Sequence, residues 1–148
     1  MVAIVLLISA TAFSITGRDI DLARKGDGLR LWESHGSRVE RNRVAGARDV
    51  VIWYSERVTV RDNVVTAGRY GLHFMYASGS RVTGNCFERN AAGAYAMYSA
   101  DLVYERNVMA GNHGPSAMDA GKGPASRSRS TTVRWANRKR CQGSDCRT

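Results

Sequence analysis

Short runs of alternating apolar and polar residues, broken every few positions by Gly, Ser, Asn or Asp, recur along the chain from about residue 28 to residue 110. Four segments align on one another: "GLRLWESHGSRVERNRV" from Gly28, "DVVIWYSERVTVRDNVV" from Asp49, "YGLHFMYASGSRVTGNCF" from Tyr70 and "AGAYAMYSADLVYERNVM" from Ala92. Asn42, Asn63, Asn85 and Asn107 are spaced by 21, 22 and 22 residues, and Trp32, Trp53, Met75, Met97 and Met118 by 21, 22, 22 and 21. Two independent columns holding one period identify an internal repeat. Each unit is rich in Val, Tyr and Phe with turn formers at its breaks, and none sustains a 3.6-residue apolar period. The pattern predicts an all-β chain, a right-handed parallel β-helix of about four to five coils stacked at about 4.8 Å. The leucine-rich repeat is the nearest competitor by period, but its dense Leu consensus is missing.

Period-two alternation assigns direction to the side chains. Leu29, Val50, Leu72 and Ala94 form one inward column, and Leu31, Ile52, Phe74 and Ala96 a second. Val39, Val60, Val82 and Tyr104, then Val44, Val65, Phe87 and Met109, complete the expected core. The Asn column reads as a stacked amide ladder at an inward turn. The intervening residues face outward: Arg30, Val51, His73, Tyr95 and Ser116 in one column, Trp32, Trp53, Met75, Met97 and Met118 in the next. An outward sheet face of Trp, Met, Tyr and His marks an interaction surface unless another part of the protein covers it.

The ends differ from this body. Phe13 to Gly17 matches the end of a coil, so the repeat opens in mid-coil, and the register is lost after Met118. Solenoids need polar caps; none is legible, and the β-helix is expected to be truncated at both ends. The expected organisation is an apolar segment at 1–12, β-helix repeats at 13–120 and a disordered basic tail at 121–148. The run Val2 to Ile8, followed by the small residues Ala10, Thr11 and Ala12, reads either as a signal-like segment without a basic n-region or as a truncated buried strand. It is too short to span a bilayer.

Charge placement narrows the function classes. Of the net +9, residues 121 to 148 carry +7, from eight Lys or Arg against one acid, which leaves +2 for the rest. The nearly neutral body does not support a nucleic-acid face. Three cysteines, Cys86, Cys141 and Cys146, are too few for a disulfide framework, and Cys141 and Cys146 lack a second ligand pair at zinc spacing. Cys86 falls in an outward column with Arg43, Val64 and Val108 as a bystander thiol, and His35 and His113 read as solvated turn residues. No Ser/His/Asp arrangement, Walker loop, CxxC pair or HExxH is present. A polysaccharide-active β-helix needs a base and charge neutralisation on one strand face. Arg30 and Glu33 stand two coils from His73, without a paired carboxylate, so no catalytic residues are assigned.

"GDGLRLWESHG" at Gly26 to Gly36, "RYGLHFMY" at Arg69 to Tyr76 and "NAAGAYAMYS" at Asn90 to Ser99 resemble the NosD family, periplasmic β-helical maturation proteins of the nitrous oxide reductase system. The resemblance covers roughly Ile15 to Met118, on a chain far shorter than the family. It implies a non-enzymatic periplasmic partner of an ABC-type transporter permease that works with a copper chaperone to mature the copper centres of the reductase. It implies no permanently bound cofactor and transient copper contact at most. Cu(I) favours thioether and imidazole donors, so His73, Met75, Met97 and Met118 are the candidate Cu(I) contacts. Trp32, Trp53, Tyr95, Met75 and Met97 are the candidate partner-binding face, Met being an adaptable residue of docking surfaces. The alternative is a carbohydrate-binding or carbohydrate-cleaving β-helix, because Trp32 and Trp53 could also pack against sugar rings.

Overall fold

The computed structural model describes residues 7–9, 11–14, 21 and 24–113. Met118, Ser116 and the basic tail lie outside them. The described residues form fourteen strands and no α-helix. A first pair, β1 (Leu7–Ser9) and β2 (Ala12–Ser14), precedes four coils of three strands each. These are β3 (Leu29–Trp32), β4 (Arg38–Glu40) and β5 (Arg43–Ala45); β6 (Asp49–Trp53), β7 (Thr59–Arg61) and β8 (Val64–Thr66). The third coil is β9 (Tyr70–Met75), β10 (Arg81–Thr83) and β11 (Cys86–Glu88), the fourth β12 (Ala92–Met97), β13 (Val103–Glu105) and β14 (Val108–Ala110).

Every strand pairs in parallel with its equivalent one coil away, giving three sheets: β1-β4-β7-β10-β13, β2-β5-β8-β11-β14 and β3-β6-β9-β12. The chain is a parallel β-helix, as its period predicts. Registers follow the sequence columns: Val39, Val60, Val82 and Tyr104 are partners, as are Val44, Val65, Phe87 and Met109. These side chains are buried and fill the space between the sheets. Leu7–Ser9 adds to the first sheet with Ile8 opposite Val39, and Ile8 packs against the core.

Strands this short need sharp corners, and left-handed residues make them. Glu33, Tyr54, Tyr76 and Tyr98 follow the third sheet with φ of 47°, 48°, 50° and 48°. Such angles cost a non-Gly residue free energy. Arg41, Asp62 and Arg106 adopt them at the next corner, each immediately before an Asn of the interior ladder that helps hold the chain there. Asn42, Asn63 and Asn85 each donate from Nδ2 to Oδ1 of the next Asn at 3.0, 2.9 and 2.9 Å. The same oxygens accept the preceding Asn backbone N–H at 2.9 to 3.0 Å. Thr11 joins the ladder through its hydroxyl, which donates to Asn42 Oδ1 at 2.7 Å. These amides are buried and consumed by one another, so they have no capacity left for a ligand.

Candidate functional site

The third sheet carries the residues of chemical interest. On its inner side Leu31, Ile52, Phe74 and Ala96 are buried in successive rungs. Its outer side has two columns in register: Arg30, Val51, His73 and Tyr95, then Trp32, Trp53, Met75 and Met97. The pairing of β6 with β9 is irregular: Asp49 faces Tyr70, but Val51 faces His73, so β9 carries one extra residue. This β-bulge is where the repeat lengthens from 21 to 22 residues. Bulges re-aim a side chain and tighten local twist. The extra residue is accommodated at Gly71, where a Cβ would lie 2.4 Å from the Gly93 carbonyl oxygen and 2.8 Å from Phe87 Cδ1.

His73 follows the bulge by two residues and departs from the expectation of an exposed outward column. It is only 9% exposed, and Val51 in the same column 4%. The reason for His73 is lateral: its ring lies 4.9 Å from Tyr70 and 5.7 Å from Tyr95, and those two phenols stack on each other at 5.0 Å. Among the described residues, His73 Nε2 finds no hydrogen-bond partner. Burial lowers the proton affinity of His73, opposed by the field of Asp49. The neutral ring, with a lone pair to donate, is therefore the favoured form at neutral pH.

A strip of ion pairs fixes this aromatic cover. The Arg69 guanidinium donates to both carboxylate oxygens of Asp49, whose Oδ1 also accepts the Tyr70 backbone N–H at 3.0 Å. The Arg69 guanidinium also lies 4.7 Å from the Tyr70 ring centroid, within cation–π range. Its hydrogen bonds to Asp49 hold the Arg69 pKa above its ordinary value. Asp27 takes Arg48 and Arg30 in the same way one coil earlier. Sequence reading passed over Asp27, Arg48, Asp49 and Arg69. The pairs Arg48–Arg69 and Asp27–Asp49 are nevertheless spaced by 21 and 22, the period of the repeat.

Of the second column, Trp32 is half exposed while Trp53, Met75 and Met97 are intermediate. Trp53 lies 4.9 Å from Trp32, edge to face, and 5.9 Å from Tyr54, nearly parallel. A second aromatic row, absent from the sequence expectations, stands at the corner beside them. Tyr54, Tyr76 and Tyr98 stack at 5.0 and 4.7 Å with planes within 7°, each about two-fifths exposed. Their spacing of 22 and 22 was legible. Because the rings cover one another's faces, the row offers ring edges and hydroxyls.

Other sequence candidates fall elsewhere. Cys86 keeps its column, in register with Val64 and Val108, but it is fully buried and disulfide-bonded, which corrects its reading as a bystander thiol. His35 Nδ1 accepts the Glu56 backbone N–H at 3.1 Å, so it joins two coils and is not merely solvated. His113 is exposed at the end of the described residues.

The donor types on the third sheet suit a soft ion. Among the described residues no three His, Cys, Asp or Glu side chains cluster as hard or borderline metals require. One imidazole with an unpartnered nitrogen and two thioethers in adjacent rungs match the preferences of Cu(I). No helix among the described residues is long and apolar enough to cross a membrane. No individual curated protein matches the chain. A family model described as periplasmic copper-binding protein (NosD) matches residues 12–124, most of the chain, with a β-helix and soft donors inside the match. The chain belongs to the NosD family of periplasmic copper-binding proteins.

Proposed function

We propose that the chain acts in the periplasm as a non-enzymatic scaffold in copper-site assembly, with the outer face of the third sheet as its working surface. Family membership supports the copper connection and the compartment. The observation that carries the reading is the register Trp53, Met75, Met97 beside a buried His73 whose Nε2 has no partner. His73, Met75 and Met97 are the transient Cu(I) contacts, with Met118 a further candidate outside the described residues. Copper is cargo here, not a resident cofactor.

Trp32, Trp53, Tyr95 and the methionines form the docking face for protein partners, extended by the Tyr54, Tyr76 and Tyr98 row. A transporter permease, a copper chaperone and nitrous oxide reductase are the partners this role calls for. Exposed aromatics and Met at one face are the composition of protein interfaces. The carbohydrate alternative is less well supported: sugars stack on open aromatic faces, whereas Trp32 and Trp53 pack on each other at 4.9 Å and the faces of the tyrosine row are turned to each other.

The test is a titration of the full chain with Cu(I) against a chromophoric chelator, with far-UV circular dichroism on the same sample. Competition that disappears in the His73→Gln, Met75→Leu, Met97→Leu triple variant, with the strand spectrum retained, supports copper contact. A folded chain that never competes removes copper from the reading and leaves docking alone.

A further inference from the structure

Resting on that reading, we infer that Trp53 is a specificity-determining wall of the same site: its indole lies against the bound monovalent ion and selects it over hydrated divalent ions. Trp53 is the strand partner of Met75, and Met75 is the partner of Met97. Alternation places the three side chains on one face, in consecutive rungs about 4.8 Å apart. A soft ion held by two thioethers in that column therefore has an indole in the next rung.

The indole cannot be an ordinary ligand. Its nitrogen is a donor with no lone pair to give, and Nε1 is buried without a hydrogen-bond partner among the described residues. What it offers a cation is its π system. The Arg30 guanidinium carbon already sits 6.0 Å from the Trp53 ring centroid, at the outer edge of cation–π range. Arg30 is half exposed and held by the buried Asp27 carboxylate through two hydrogen bonds, so a nearer cation can approach the indole with that pair intact. Trp32 and Tyr54 pack on the indole at 4.9 and 5.9 Å and hold it in place before any ion arrives.

This arrangement discriminates by hydration. A monovalent soft ion loses its water readily and is satisfied by few donors, so an apolar wall on one side costs it little. A divalent ion such as Zn(II) would give up strongly bound water for a face that returns no lone pair. Trp53 thus contributes selectivity that His73, Met75 and Met97 do not provide alone.

The chain has three tryptophans, so replacing Trp32 and Trp135 with Phe leaves Trp53 as the single emitter. The full chain in that background is titrated with Ag(I), a redox-inert stand-in for Cu(I), by tryptophan emission and calorimetry in parallel, and then with Zn(II). The expected result is saturable quenching of Trp53 with the calorimetric midpoint, no response to Zn(II), and Ag(I) affinity lowered about 2- to 30-fold by Trp53→Leu. Saturable Ag(I) binding that needs Met75 and Met97 but leaves Trp53 emission unchanged overturns this inference and leaves the proposed function standing. Absence of any saturable Ag(I) binding overturns both. Should Trp53→Leu fail to fold, the emission titration of the single-tryptophan chain still decides.

Discussion

The rings of Tyr70 and His73 stand 4.9 Å apart at an angle of 58°, and Tyr95 stacks on the same Tyr70, so an outward-pointing imidazole is enclosed by its own sheet neighbours. Enclosure penalises the charged ring and lowers its pKa from 6.5. A depressed folded pKa means the unfolded chain binds the proton more readily. The contribution of His73 to stability is therefore complete above pH 6.5 and is lost as pH falls through the folded value. Urea unfolding of the native chain and of His73→Gln at pH 7.5 and pH 5 should show the native chain losing more stability on acidification. Equal losses would mean that the enclosure does not exist in solution.

Gly71 sits at the bulge that precedes His73, where any Cβ meets the Gly93 carbonyl oxygen at 2.4 Å. A backbone atom cannot swing aside, so Gly71→Ala must separate β9 from β12. We expect a loss of about 1–3 kcal/mol, the usual cost of overpacking, together with a change in near-UV circular dichroism as the Tyr70–Tyr95 stack shifts. Unchanged stability and spectrum would refute the close approach.

The Asn85 side chain holds five groups at once, the Thr83 carbonyl among them as a further acceptor from Nδ2 at 3.2 Å. Its Nδ2 donates to the Val60 carbonyl and to Asn107 Oδ1, and its Oδ1 accepts both the backbone N–H and Nδ2 of Asn63. Asn85→Ala strands these buried partners at about 1–3 kcal/mol apiece when unrelieved. A total loss of about 3 kcal/mol or more in urea unfolding is expected. A loss under about 1 kcal/mol would show that water replaces the ladder.

Tyr104 takes a core position that Val39, Val60 and Val82 occupy in earlier coils, and its hydroxyl is buried without a partner among the described residues. Tyr104→Phe should raise stability by about 1 kcal/mol at neutral pH, since the stranded hydroxyl is removed. Burial raises the phenol pKa above 10, so the contribution of Tyr104 to stability is complete below pH 10 and is lost as pH rises beyond it. The Phe variant should lack that Tyr104 contribution to the alkaline loss in parallel denaturation at pH 8 and pH 11.

Much of this molecule is legible along the chain. The repeat of 21 to 22 residues, the inward Val and Leu columns and the Asn positions follow from alternation and stacking. Both are periodic, so each residue's role is set by its place in the period. Even the tyrosine row and the Asp/Arg strip obey that period. Contacts across the sheet surface do not. Whether His73 faces water depended on two rings from β9 and β12 closing over it, and on one extra residue in β9. A side chain's outward direction is decided by its own backbone, whereas its exposure is decided by what its neighbours on other coils lay across it. That is why the sequence alone assigned the columns of the β-helix, and only the assembled coils separated the buried imidazole from the half-exposed Trp32 two coils away.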